Sequence, residues 1–375
     1  MVRPPAHKHK DTARADYRLL LYIGILIVCG LIALTSASAP LAYLKFHDSY
    51  FFVKRQILFG LLPGTVLFLF FSKVDYHRSI KYAWMFYGFS LFLLCLRFVP
   101  GIGVVINGSR NWLRIAGFSF QPSELVKLGV IFILAYLLAD RRRDWNDWQN
   151  TLTPILLALS PAILLTGDVG TLSIIGMIIF VILYLLKIPF KYLSILGLVG
   201  LVGFLVLVIA APYRIQRLTT FLHPELDPQG VGYQINQAFL AVGSGGGWGL
   251  GLGQSRQKFQ YLPEVNTDSV FAVMSEETGF LISAGIILLI LVIGWRGLKI
   301  AAGAPDEAGR VLVGGIMVWF MWQSFLNIGA MVGALPLTGV PLPFISQGGS
   351  ALMALMAAMG LVTNVSKVST IETTV

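Results

Sequence analysis

The stretch Leu262-Pro-Glu-Val-Asn-Thr-Asp-Ser-Val-Phe-Ala-Val-Met-Ser-Glu-Glu-Thr-Gly279 crosses from a long polar loop into an apolar run and carries the sharpest chemistry in the chain. Read as a helix from about Thr267, it sets Asp268, Ala272, Ser275 and Gly279 near one face by the 3.6-residue period. That face is small, with a single carboxylate at its mouth. Thr267 or Asp268 can merely cap the helix and complement its dipole. Glu276 and Glu277 follow inside the apolar run, where acidic groups are costly and face a cavity or a partner.

Four further sets of residues are candidates. In Gln121-Pro-Ser-Glu-Leu-Val-Lys127 the proline marks a helix start. Glu124 and Lys127, three residues apart, form either a structural ion pair or part of a polar cavity. Asp168, in the break Thr166-Gly-Asp-Val-Gly-Thr171, is a helix cap or a second functional carboxylate. Arg110 and Trp112, in Asn107-Gly-Ser-Arg-Asn-Trp-Leu-Arg114, can grip phosphate or sugar, or sit at the lipid headgroups as an aromatic belt with its basic neighbours. Arg256 and Lys258 add positive charge just before the acidic stretch. The glycine-rich run Gly243 to Gly253 lacks the lysine and hydroxyl pattern of a nucleotide-binding loop and faces outward.

These groups need a membrane scaffold. Hydrophobic residues make up 56% of the 375 and charged residues only 12%, against roughly 25% charged in soluble domains. The sequence predicts an all-α, polytopic membrane protein with about ten spans, each near the 20 residues that cross a bilayer. The expected spans are about 17–38, 52–71, 82–99, a fourth from Gln121, two within 152–186, 192–211, 267–293, 311–333 and a last one to about Val365. Residues 1–16 and 368–375 are expected as cytoplasmic tails around a single domain, 17–367, with a large outer loop over 212–266. The net charge of +10 sits in short turns such as Lys73–Lys81, Asp140–Arg143 and Lys187–Lys191, where the positive-inside rule wants it, which puts both termini in the cytoplasm and argues against nucleic acid. Lys54 and Arg55 are read as snorkelling at a span entrance. Cys29 and Cys95 lie in apolar runs and read as small core residues. No cleavable signal peptide is expected, because the first apolar run lacks a convincing cleavage site.

Four separated segments, Ser36-Ala-Ser-Ala-Pro40, Gly108-Ser-Arg-Asn-Trp112 with Gln121-Pro-Ser-Glu124, Tyr261-Leu-Pro-Glu264 with Thr267-Asp268, and Pro341-Leu-Pro-Phe-Ile-Ser346 with Gly348-Gly-Ser350, resemble the shape, elongation, division and sporulation (SEDS) family, which includes FtsW, RodA and SpoVE. The resemblance runs from about Asp16 to Lys367. Ser255-Arg-Gln-Lys-Phe259 is closer to the septal FtsW branch than to RodA. Asn266 stands where the family generally has histidine, and Gln347 where an aromatic is common.

The resemblance implies a glycosyltransferase that polymerises lipid II into peptidoglycan strands outside the bacterial cytoplasmic membrane, at the division septum. Its partners would be a class B penicillin-binding protein, other division or elongation proteins, and membrane lipids. Asp268 matches the family's essential aspartate and is the expected base, with Glu124 and Asp168 as secondary acids. Arg110, Trp112, Lys127, Arg256, Lys258, Ser346 and Ser350 are the candidate substrate-binding groups. A divalent cation, Mg or Mn, could assist, but no ligand set is visible. A rival reading is a lipid II flippase with no chemistry of its own, served by the same cavity.

Overall fold

A computed structural model describes residues 15–106, 109–115, 118–139, 148–209, 212–227 and 229–370. Each long apolar run folds as a helix because a bilayer leaves no solvent for unpaired backbone groups. The first half comprises α1 (Tyr17–Phe46), α2 (Phe51–Gln56), a π-helical turn (Ile57–Leu61), α3 (Leu62–Lys73), α4 (Tyr76–Lys81), α5 (Ala83–Leu96), α6 (Pro122–Leu138) and α7 (Trp148–Leu165). The second half comprises α8 (Val169–Leu185), α9 (Phe190–Ile209), α10 (Pro212–Leu222), α11 (Val231–Ser244), α12 (Val270–Ala302), α13 (Glu307–Met331) and α14 (Gly349–Ser366). Among the described residues six spans, with α2 and α3 running on as one, are long and apolar enough to cross a membrane. The shorter α5 to α8 complete the alternation predicted from the basic turns. The turn Asp140–Arg143, which carries much of that charge argument, lies outside the described residues.

The centre is built from α6, α8, α13 and α14. Over the most apolar windows of α13 and α14, 78% of residues are buried, against 11% for α9, which stands at the periphery. Helices approach closely where a side chain is missing, the usual device in lipid. A Cβ on Gly360 of α14 would lie 2.6 Å from the backbone oxygen of Phe68 on α3.

Two expectations are corrected, and one element is added to the all-α fold. After α5, β1 (Gly103–Ile106), β2 (Ser109–Ile115) and β3 (Phe118–Phe120) form a small antiparallel sheet in the order β1-β2-β3. Asp16 belongs to the folded domain rather than to the tail. It is buried, caps α1 by accepting the N–H of Leu19, and pairs with Arg296 at 2.7 Å. Cys95 is exposed on the lipid-facing side and Cys29 is half-buried, so neither is a core residue.

The helix of the acidic stretch also differs. It begins at Val270, not Thr267, and is broken at Gly279, where φ is 75° and ψ is −178°. The glycine-rich loop fills the break. Leu250 and Gly251 donate their N–H groups to the carbonyls of Glu276 and Glu277, while Phe280 and Leu281 donate to Gly246 and Gly247. Only glycine occupies that backbone region readily, and a Cβ on Gly279 would lie 2.2 Å from the amide nitrogen of Gly249. Gly279→Ala is expected to destabilise the protein by at least about 1–3 kcal/mol from backbone strain. Thermal melting in detergent checks this, and an unchanged melting point would refute the strained junction.

Candidate active site

At the outer ends of the helices lies a cavity of about 1120 Å³. That is somewhat above the usual pocket range of roughly 300–1,000 Å³. Its charged wall carries Asp168, Glu264 and Asp268 with Arg55, Arg214 and Arg217. Its apolar lining includes Phe52, Phe59, Phe204, Val208 and Leu218, together with Trp322, Leu326, Leu335 and Leu337.

Asp268 sits in the turns just before α12. The helix has no side-chain cap: Ser269 holds the N-cap position without such a bond, so capping by Thr267 or Asp268 is excluded. The backbone around Asp268 is instead pinned from α13. Asn327 donates one amide group to the carbonyl oxygens of Asp268 and Val340, 2.9 Å each. Gly339 lies near the Asp268 carboxylate: a Cβ there would stand 3.7 Å from its Oδ2. The half-buried carboxyl group is pushed up to about 7, first by burial and then by the negative charges of Glu264 and Asp168, with Arg217 pulling the other way. A carboxylate titrating near neutrality is matched to proton acceptance.

Asp168 is the helix cap, one of its two readings, and its position also reaches the cavity. It caps α8 by accepting the N–H and hydroxyl of Thr171, at 2.9 and 2.7 Å, and it lines the cavity. The break before it is held by two guanidinium groups: Arg97 donates to the carbonyl of Leu165 and Arg214 to that of Gly167.

The other predicted residues divide. Trp112 and Ser350 line the cavity; the Ser350 hydroxyl accepts the Gln121 N–H at 3.3 Å. The Arg110 side chain lies outside the described residues. Glu124 and Lys127 form a buried ion pair at 2.9 Å, 2% and 1% exposed, and do not line the cavity. Lys127 also donates to Gln323 at 2.7 Å, and Gln323 donates to the carbonyl of Pro341. The pair therefore supports the cavity floor from behind. Ser346 is likewise buried, its hydroxyl accepting the Leu342 N–H. Lys258 is bound to Glu277 at 2.7 Å and donates to Ser36. Glu276 accepts the N–H of Arg256 and the hydroxyl of Ser255, and Arg256 borders a separate shallow depression. Charges needing a partner inside an apolar run found each other rather than the cavity.

The cavity cations are the ones passed over. Arg55 comes from the turn before the π-helical segment, an irregularity frequent at functional sites; Arg214 and Arg217 come from α10. The two positions departing from the family pattern are partners: the Asn266 and Gln347 side chains are hydrogen-bonded, and the Gln347 N–H donates to the Asn266 carbonyl at 2.9 Å. Among the described residues no three His, Cys, Asp or Glu side chains gather as a metal cage.

The sequence model of the cell cycle proteins FtsW, RodA and SpoVE matches residues 17–371. The chain is 42% identical to stage V sporulation protein E of Bacillus subtilis, covering 94% of this chain and 97% of that one. It is 38% identical to a probable peptidoglycan glycosyltransferase FtsW of Geobacter sp. strain M18, over 93% and 96%. Its fold superposes with a TM-score of 0.78 on a chain of a peptidoglycan synthase complex that coordinates polymerization and crosslinking, at 28% identity over 95% and 98%. The rod shape determining protein RodA of Thermus thermophilus gives 0.70 at 26% identity, over 96% and 98%.

Proposed function

Since the chain belongs to the family of the cell cycle proteins FtsW, RodA and SpoVE, we propose that it polymerises lipid II into glycan strands at the outer face of the cytoplasmic membrane, in septal wall synthesis. It is a multi-pass membrane protein and a peptidoglycan glycosyltransferase, an activity supported by relatives that carry that name. The single observation that carries the mechanism is Asp268, a carboxylate with proton affinity near neutrality in an outward cavity that also holds guanidinium groups.

In this reading the Asp268 carboxylate accepts the proton of the attacking sugar hydroxyl, a step that typically contributes about 10²–10⁴-fold. The cavity arginines stabilise the charge that develops on the leaving diphosphate, where fixed cations act most strongly. Trp112, Ser350 and Asp168 orient the sugars. A Mg or Mn ion serving this cavity would be held by one or two wall carboxylates other than the base, such as Asp168 or Asp227, and by the phosphates, the usual mode for magnesium. A class B penicillin-binding protein is the partner that crosslinks the strands, a reading supported by the synthase complex among the structural neighbours.

The test is lipid II polymerisation by the purified protein with its crosslinking partner, read as glycan chains on a gel. Chains from the parent are the expected result. No chains, with lipid II still crossing vesicle membranes, would favour the flippase instead. Against the flippase, the inner half of α13 packs Leu312, Val313, Ile316 and Met317 with no exposure, where a transporter needs a polar path.

The pH profile gives a finer test. Because the Asp268 base form grows as pH rises through about 7, activity should fall on the acid side of neutrality. Glu264→Gln removes a neighbouring negative charge, so the Asp268 proton leaves more easily and the acid limb of kcat/KM shifts to lower pH. A limb that stays in place would mean another group sets it.

A further inference from the structure

The strand β2 breaks the alternation that strands impose. Gly103 pairs with Leu113 and Val104 with Trp112, but Ile106 pairs with Ser109, so Arg110 and Asn111 of β2 stand opposite Val105 alone. Successive residues of a strand face opposite sides, and a bulge of this kind re-aims a side chain. Asn111 and Trp112, neighbours in sequence, accordingly both line the cavity.

The orientation of Asn111 is set from outside the cavity. Arg97, the C-cap residue of α5, is 7% exposed and forms no part of the cavity wall. Its Nη1 donates to Asn111 Oδ1 at 2.8 Å and its Nη2 to the carbonyl of Leu165. It thus ties the sheet to the break before α8, where a Cβ on Gly167 would stand 3.2 Å from Nη2. The Phe98 ring centre lies 4.7 Å from the guanidinium carbon. A guanidinium has N–H donors and no acceptor. The Asn111 amide can therefore meet Arg97 only through its oxygen, which leaves the NH2 group for the cavity. Among the described residues that nitrogen meets no protein acceptor.

Arg97 is a costly way to hold a turn. No carboxylate of the described residues stands within ion-pair distance of it, and its Nε is buried without a partner. Burying a cation without a counter-ion is unfavourable, and a buried polar group left unpaired calls for a reason. The chemistry of the cavity supplies one. Its guanidinium groups answer the substrate's diphosphate, whereas a neutral NH2 group suits a neutral oxygen. Both sugars of lipid II carry an acetamido group, whose carbonyl is a strong neutral acceptor. Trp112, next to Asn111 in the wall, offers an apolar face to the acetamido methyl.

We propose that Asn111 reads an acetamido carbonyl of the substrate sugars and that Arg97 is the positioning residue that aims it. The proposal rests on the glycosyl-transfer reading and deepens it: the site selects N-acetylated sugars through a neutral donor, apart from any contact with the diphosphate.

The test compares lipid II with an analogue whose acetamido oxygens are replaced by sulfur, a change that keeps the shape and weakens the acceptor. The protein is used with its crosslinking partner, and kcat/KM for chain formation is measured on each substrate. The parent is expected to favour lipid II by about three- to tenfold, the worth of one neutral hydrogen bond. Asn111→Ala and Asn111→Asp, which lack the donor, are expected to lose that preference by losing rate on lipid II alone. Arg97→Met, which leaves the amide free to turn, should lose it too. Arg97→Lys, which still donates to the Asn111 oxygen, should keep part of it. A purely structural role would lower both substrates by the same factor. The proposal is overturned if the parent uses the two substrates equally, if the variants slow both alike, or if Arg97→Met keeps the parent's preference. Absence of chains from the parent on lipid II would instead overturn the glycosyl-transfer reading beneath it.

Discussion

Asp268→Asn loses about 10²–10⁴-fold in polymerisation rate while the protein stays folded. The change keeps the side-chain shape and removes only the proton acceptor. The backbone remains pinned, because Asn327 bonds the Asp268 carbonyl rather than its side chain. Stability supplies the control. The folded chain holds the Asp268 proton up to about pH 7, whereas the unfolded chain releases it near 3.8. Between those values the folded state binds more protons, so this group weakens the fold as pH rises through the window. The asparagine variant lacks that penalty and is expected to melt no lower than the parent at pH 8. An active Asp268→Asn protein would move the search for the base to Asp168; an inactive one that melts early would mean that folding was lost.

The second large effect is on stability. Lys258→Met removes the cation from a cluster in which Glu277 is 2% exposed, pairs with Lys258 at 2.7 Å, and receives the Ser36 hydroxyl on both oxygens at 2.6 and 2.7 Å. Breaking a buried pair by deleting one partner leaves an uncompensated charge and costs about 3–5 kcal/mol. The damage reaches the site because Lys258 and Glu264 lie on one loop leading to Asp268. Melting of the purified variant measures the loss. The double change Lys258→Met with Glu277→Gln is expected to recover much of it, since a neutral amide still meets Ser36. If the single variant melts like the parent, the cluster is not holding the loop.

Much of the scaffold was legible in the chain, because runs of apolar residues separated by basic turns leave few ways to cross a bilayer. The sheet was legible too and was passed over. Asn107-Gly108 lies between paired Ile106 and Ser109, and Asn-Gly between extended runs is a strong hairpin signal, one that competes with phosphate contacts for the same residues. Asp268 stood out as an acid at the mouth of an apolar run. The cations were misread for one physical reason: a buried charge is neutralised by whatever the fold brings near. Lys127 takes Glu124, as its spacing allows, and also Gln323, while Lys258 takes Glu277 and Ser36, and of these only the first pairing is encoded locally. Arg55 looked like an interfacial anchor, and Arg217 was one charge among several in a long polar loop. Only the cavity distinguishes them.

The two ends of the folded domain meet on one face, where the Asp16 N–H donates to the Ser366 hydroxyl at 3.2 Å and Arg296 closes on the Asp16 carboxylate at 2.7 Å. During synthesis this sets an order of events. The first helix to leave the ribosome finds its main partner, α12, only some 250 residues later, and α3 waits longer still for α14, its closest neighbour. Contacts so distant along the chain form slowly. Early helices must therefore dwell in the bilayer with their small-residue faces uncovered until the final segment is inserted. A ribosome that stops short of α14 leaves not a smaller enzyme but an unlatched one, with Gly60 and Gly64 lacking the α14 residues Leu352 and Met356 that pack on them.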